Sequence, residues 1–452
     1  MAIRTGLFLA TILTAACLCN AQQNGAQSKI TDFGAVADGK TLNTIAIQKT
    51  IDHLAQSGGG TVIVPEGVFM SGSIFLKPGV NLHVEKNGIL KGTTNIADYP
   101  EMNTRIEGHF QPWLPALVNA DKVDHLSIGG EGTLEGGGQF FWDAFRNTAS
   151  TVRGTKNLDV PRPRMIFIRD SAHVTVKGLH LKDSGFWNLH IYNCHDVTID
   201  GLDIVAGPRS PSTDGIDVDS CQNVTITNCH IANNDDCIAL KGSKGPLAMD
   251  DKASPPVEHI RVSNCTFERG GSFVTCGSEA TIVRDVVIEN CSAPGPNNSV
   301  SAVLRLKLRT DTPQLYENIT VRNITLDGRG TVLAIAKWEQ YFDLQGHPQP
   351  SRQVKNVTIS NVKGSFGSLA GRGVGGGPGD TIENVTLENI DLTTNGQIQP
   401  NLSMIKNLVV KNVKVNGKDF DPSAPPTPAP PGRGGGRGRG FNPTSLPSPQ
   451  QQ

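Results

Sequence analysis

Three aspartates are the residues best placed to do chemistry. Asp214 sits in the run Ser212-Thr213-Asp214-Gly215-Ile216-Asp217-Val218-Asp219, and Asp235 and Asp236 follow 21 and 22 residues later, ahead of Ile238 and Leu240. If Ile216 and Val218 stack on Ile238 and Leu240 as inward residues of neighbouring strands, the three carboxylates gather where a turn enters the strand. Their backbones then lie only about 5 Å apart. Asp235 and Asp236 share that cleft provided the turn bends between them. Like charges this close raise one pKa strongly, leaving one carboxyl protonated beside an ionised neighbour. A carboxylic acid next to a carboxylate is the pair that hydrolysis of a glycosidic bond requires. The plainer reading is a calcium site or a solvated acidic turn. Calcium takes six to eight oxygens, and Asp217 and Asp219 alternate with Ile216 and Val218, projecting outward from the strand instead of closing a compact loop. No metal and no cofactor is therefore expected. Further on, Arg305-Leu306-Lys307 places two cations on one face of a strand. They either neutralise the acidic group or grip the carboxylate of an acidic sugar, Arg305 as a fork and Lys307 as a point charge.

Positioning these residues falls to a repeat. Segments 173–181, 196–204, 223–231, 259–267, 285–293, 318–326, 356–364, 384–392 and 407–415 share one pattern, their starts 23 to 38 residues apart. Each alternates β-branched apolar with polar residues, then usually carries Asn and a further apolar residue. Alternation with period two marks a strand with one buried face. So short a unit cannot bury that face alone, so the units must stack. Lengths near 23 with insertions fit the coils of an all-β fold, a right-handed parallel β-helix. Val224 and Ile226 then point inward and Thr225 and Thr227 outward. Asn228, Asn264, Asn290, Asn323, Asn361, Asn389 and Asn412 form a ladder at one turn, where each amide can satisfy backbone groups of a neighbouring coil. Cys229, Cys265 and Cys291 stack inside, and Cys194 and Cys221 do so elsewhere. At the N-terminal end, Ile47, Ile51, Leu54 and Ala55 make a helical stripe stopped by Gly58-Gly59-Gly60. Such a helix caps the open end of the solenoid.

The chain is 452 residues long, with 50 Gly, 28 Pro, 18% charged and 5% aromatic residues. Length alone suggests about three domains, but the repeat argues for one continuous solenoid. Composition argues against a helical bundle, and 37% hydrophobic residues with a net charge of −1 argue against disorder. The even charge balance leaves no field for nucleic acid or a membrane surface. Arg4, an apolar run over residues 7–18 and the small residues around Ala21 have the order of a secretory signal, too short to span a bilayer. A signal peptide over 1–21, a β-helix domain over 22–420, a disordered Pro/Gly-rich tail over 421–452 and a secreted or periplasmic monomer are the expectations. Of nine cysteines, seven remain after cleavage, an odd number that cannot all pair within one chain.

These motifs together resemble the polygalacturonases of glycoside hydrolase family 28. The run Ile30-Thr31-Asp32-Phe33-Gly34-Ala35-Val36-Ala37-Asp38-Gly39, Gly58-Gly59-Gly60-Thr61-Val62 and Arg162-Pro163-Arg164 are similar to the family's. Its Asn-Thr-Asp motif stands here as Ser212-Thr213-Asp214, its Asp-Asp motif as Asp235-Asp236, and its Arg-Ile-Lys motif as Arg305-Leu306-Lys307. The resemblance spans residues 29 to 415. It implies an inverting pectin-type hydrolase in which Asp235 protonates the leaving oxygen and Asp214 and Asp236 activate water. Arg305 and Lys307 would hold a uronate. Read from its own stretch, Trp338-Glu339-Gln340-Tyr341, Tyr341 either contacts a sugar or serves packing. A lyase on the same fold and a non-catalytic carbohydrate-binding β-helix are the rival readings. One departure stands out: the family's histidine before Gly-Ser is here Ser272, or Gly271 if the spacing is one longer. The family's rhamnogalacturonan-acting branch also lacks it. Without imidazole the pocket should be emptier, with room for a bulkier or less acidic sugar.

Overall fold

The computed structural model describes residues 25–148, 156–340, 342–371, 379–394, 396 and 399–427. The expected signal peptide, and the tail beyond residue 427, lie outside the described residues. The chain winds as a right-handed parallel β-helix. Its strands form a ten-stranded sheet and a larger 25-stranded sheet, and a separate two-stranded hairpin packs outside them. Within the ladder the repeats stack in strict register: Val174 on Val197, Val197 on Val224, Val224 on Ile260, and Ile260 on Val286. The column continues through Ile319, Val357 and Val385. Val224 and Ile226 are wholly buried, while Thr225 and Thr227 are half-buried on the outer face. All seven described cysteines are buried thiols, none of them in a disulfide. Cys229, Cys265 and Cys291 follow their ladder asparagines into the interior as expected.

The asparagine column forms, but it works differently from expectation. Asn228, Asn264, Asn290, Asn323, Asn361, Asn389 and Asn412 all adopt φ between 50° and 58°. That left-handed conformation strains most side chains and suits Asn. From Asn290 to Asn412 the amides bond to one another instead of to backbone: Asn361 Nδ2 donates to Asn323 Oδ1 at 3.0 Å, and Asn323 Nδ2 to Asn290 Oδ1 at 3.0 Å, whereas Asn228 donates to Asp200 Oδ1 at 2.8 Å. A second column of the same kind starts the repeats, Asn384 donating to Asn356 at 3.1 Å and Asn356 to Asn318 at 3.0 Å. Asn361→Ala, which adds left-handed strain and removes the ladder bonds, is expected to lower stability by about 1–2 kcal/mol. Asn361→Gly keeps the turn and should cost less. Urea midpoints of the two variants check the order.

The N-terminal cap is the helix Thr44–Gln56, with Ile47, Ile51 and Leu54 no more than 1% exposed. Gly58 turns the chain out of it at φ 92°, and a Cβ on the next residue, Gly59, would stand 2.7 Å from the Gly79 carbonyl oxygen. At the other end Lys418–Asp419 folds back antiparallel on Val409–Val415. Elements without the repeat pattern stand outside the solenoid. The hairpin strands Met102–Ile106 and His109–Trp113 and the helix Gly138–Asn147 join it through a satellite cluster of Tyr99, Ile106, Trp113, Phe141, Phe186 and Trp187. This cluster brings distant segments against the ten-stranded sheet.

Candidate active site

Strands Ile216–Asp219 and Ile238–Lys241 pair in parallel, Ile216 on Ile238 and Val218 on Leu240, as the spacing predicts. The turns before them carry the acidic residues. Side-chain oxygens of Asp214, Asp235 and Asp236 lie within 4.8 Å of one another. The bend that lets Asp235 and Asp236 share the site is held by three bonds. Asn233 Nδ2 donates to the Asp236 carbonyl at 2.9 Å, the Asp236 amide donates to Asp235 Oδ1 at 2.9 Å, and the Gly271 amide donates to the Asp235 carbonyl at 2.7 Å. Asp214 and Asp236 are buried, and Asp235 is half-buried.

Cations divide the three carboxyls. Lys307 Nζ donates to Asp236 Oδ2 at 2.6 Å, and Arg305 stands 3.6 Å from Oδ1. Burial pushes Asp236 up, but Lys307, Arg305 and the Thr275 hydroxyl outweigh it and hold this carboxyl below its usual range. Burial and the neighbouring Asp236 charge instead raise Asp235. Burial raises Asp214 well above the ordinary value, although Lys241 stands 3.3 Å from it. Opposed shifts of this kind mark a carboxylate kept ionised beside a carboxyl kept protonated. An ammonium stands within hydrogen-bond distance of Asp236 and another 3.3 Å from Asp214, so protein cations offset part of the group's negative charge.

The model of glycosyl hydrolases family 28 matches residues 56–417. The chain belongs to this family. It is 26% identical over 401 residues to a probable polygalacturonase of Vitis vinifera, covering 86% of this chain and 78% of that one. It is 30% identical over 351 residues to an exopolygalacturonase of Zea mays, covering 75% and 77%. The crystal structure of a hyperthermoactive exopolygalacturonase from Thermotoga maritima superposes with a TM-score of 0.71 at 23% identity, covering 87% of this chain and 93% of that one. This likeness shows the shared fold. The protein is accordingly a polygalacturonase-type glycoside hydrolase acting on O-glycosyl bonds.

Within this family 28 enzyme, the missing histidine is replaced by hydroxyls. A Cβ on Gly271 would lie 2.5 Å from Asp236 Oδ1, so no side chain fits at that position. Thr275 donates to Asp236 Oδ1 at 2.8 Å, and Ser272, whose hydroxyl lies 3.3 Å from the same oxygen, donates to the Thr275 hydroxyl. Both residues are wholly buried. The expectation of an emptier pocket is therefore corrected: the space over Asp236 is filled, and the argument for a bulkier sugar there falls with it.

Asp217 and Asp219 are covered by other elements. They point outward from their strand as read, yet they are 0% and 2% exposed. Asp219 meets Arg105 at 3.0 Å, from the hairpin, and that cation keeps it ionised despite burial. Asp217 shares Lys241 at 3.4 Å with Asp214, and burial lifts it to about 7. Lys241 lies over the Trp187 ring at 4.4 Å, and Lys307 over Trp338 at 4.5 Å. Lys241, Asn233, Trp187 and Arg105 went unread in the sequence. Only Lys241 left a signal, aligning with Asp219 as an outward residue of the next coil. Lys307, expected to hold substrate, is 9% exposed and is already bonded to Asp236, whereas Arg305 is 24% exposed and reaches solvent. Tyr341 lies outside the described residues.

Proposed function

We propose that this enzyme hydrolyses glycosidic bonds in pectin-type, galacturonate-containing polysaccharides, acting outside the cytoplasm as a single chain. The observation that carries the reading is the split trio: Asp235 raised, Asp236 held ionised by Lys307, and Arg305 open beside them. Asp235 protonates the leaving glycosidic oxygen. Asp236 takes the proton of the attacking water, and Asp214 orients that water. Arg305 binds a uronate carboxylate next to the scissile bond, since a guanidinium fork matches carboxylate geometry. The apolar run behind Arg4 supports export. Among the described residues no helix is long and apolar enough to cross a membrane.

Spacing alone would suit a retaining pair, because these oxygens approach closer than the roughly 6.5–9.5 Å typical of inverting carboxyls. What favours inversion is the state of Asp236. One of its oxygens accepts from Lys307 and the other from Thr275, so it is poorly placed to attack carbon but well placed to polarise water. The first-formed sugar should therefore have the opposite anomeric configuration to the bond cleaved. Proton NMR before mutarotation reads this directly, and initial retention would assign a nucleophile to the trio.

Digestion of polygalacturonate, rhamnogalacturonan backbone and a neutral glucan tests the substrate class. Reducing ends should appear from uronate-containing fractions and not from the neutral one. Ultraviolet-absorbing unsaturated products would mean a lyase, and binding without any cleavage would mean a carbohydrate-binding protein.

A further inference from the structure

Two lysines reach the aspartate trio, and each rests on an indole. Lys241 Nζ lies 4.4 Å over the Trp187 ring, and Lys307 Nζ lies 4.5 Å over Trp338. The chain has only four tryptophans, so half of them stand beside the ammonium groups of one site. The two lysine side chains are 8% and 9% exposed, so water supplies little of what their N–H groups require.

Packing accounts for Trp187. It is buried, stacks on Phe186 at 4.8 Å and belongs to the satellite cluster. Trp338 has no such explanation. It ends the strand Thr331–Trp338, pairs in register with Arg309 and is half-buried. It stands outside the apolar clusters of the described residues. Its indole N–H is buried and meets no hydrogen-bond acceptor among those residues. What Trp338 offers its surroundings is therefore the face of its ring, and Lys307 occupies it.

That face suits an ammonium whose charge is needed elsewhere. Lysine carries three N–H donors, and Lys307 points one at Asp236 Oδ2 at 2.6 Å. A second carboxylate bonded to Lys307 would divide the cation's charge, and water there would screen it. An indole attracts the cation through its quadrupole, has no net charge and excludes water. Among the described residues Asp236 is the only anion ion-paired with Lys307. The remaining charged groups around Asp236 are Arg305 from the strand that carries Lys307, Lys241 from the strand after Asp236, and Asp214, Asp217 and Asp235. Three of these are acids that oppose a charge on Asp236, so the place of the Lys307 ammonium matters.

We propose that Trp338 is a positioning residue of this site: its indole holds the Lys307 ammonium against Asp236, the carboxylate that takes the proton of the attacking water. The proposal rests on the reading of the trio as a pectin-type hydrolase site. It adds a residue that acts through Lys307 and not by touching the sugar.

The full-length enzyme and its Trp338→Leu and Trp338→Phe variants should be compared on polygalacturonate and on rhamnogalacturonan backbone across pH. Loss of the indole face should move the acid limb of kcat/KM up by about half a pH unit to one unit. Below that limb the relative rate then falls about three- to tenfold, while KM at neutral pH stays within about twofold of wild type. Phe keeps a weaker π face, so Trp338→Phe should fall between wild type and Trp338→Leu. An unmoved acid limb would overturn the proposal, and a KM raised several-fold alongside it would make the indole a platform for the sugar.

Urea midpoints read the same contact without substrate. Asp236 contributes stability above its unfolded pKa and loses it as pH falls through the folded one. The gap between wild type and Trp338→Leu should therefore be widest near neutral pH and narrow in acid. A gap that does not change with pH would mean that the ring only fills space. If the wild type releases no reducing ends from either polysaccharide, the hydrolase reading fails, and the urea gap still decides whether Trp338 holds Lys307 on Asp236.

Discussion

Asp235→Asn is expected to lower turnover by at least about a hundredfold, the low end for removing a general acid. Asp235 is the member of the trio that combines a raised pKa with partial exposure, so it can both hold a proton and meet a leaving oxygen. An amide is nearly the same size and its oxygen still accepts from the Asp236 N–H, now at 2.9 Å from Asp235 Oδ1, so the bend should survive. The melting temperature should therefore change little while kcat collapses, and the alkaline fall of the pH–rate profile should vanish with the acid that causes it. Wild-type turnover in a folded variant would sink the assignment.

Lys307→Met should show the largest combined effect. Its ammonium holds Asp236 ionised in a site that is 1% exposed. Removing it leaves a buried carboxylate with Arg305 at 3.6 Å as its nearest cation. Breaking a buried pair from one side costs about 3–5 kcal/mol of stability. The sign with pH follows from the direction of the shift. Asp236 is depressed in the wild type, so its contribution to stability is present above the unfolded value and is lost as pH falls through the folded one. In the variant that carboxyl is lifted, so the stability deficit should be greatest at neutral pH and shrink in acid. The acid limb of the rate profile should move up in pH, because the base now loses its charge sooner. In addition kcat/KM should fall by about 1–3 kcal/mol, for the charged hydrogen bond lost. An unmoved acid limb would show that Lys307 does not set the state of Asp236.

The strand pattern determined much of this protein without any coordinates. Alternation with period two and a repeat near one coil are local properties, and stacking is the only way such units bury their apolar face. Once Ile216 must lie on Ile238, Asp214 and the Asp235-Asp236 pair are carried to the same turn, and the side-chain oxygens do meet within 4.8 Å. The first asparagine column and the interior thiols follow from the same logic, each residue being placed by its own repeat, and the capping helix follows from its own apolar stripe. Tertiary structure decided what covers that scaffold and which cation reaches which carboxyl. Arg105 meets Asp219 across 114 residues of sequence, and the hairpin that carries it has no repeat to announce it. Its position comes from apolar side chains outside the solenoid that pack on Phe186 and Trp187. Lys241 and Lys307 likewise stand on ordinary strands, and only the reach of their long side chains assigns one to Asp214 and Asp217 and the other to Asp236. Backbone periodicity placed the acids, because stacking repeats leave a strand one register. Long-range side-chain contacts set their charge, because those contacts do not depend on the residues' own neighbours in sequence.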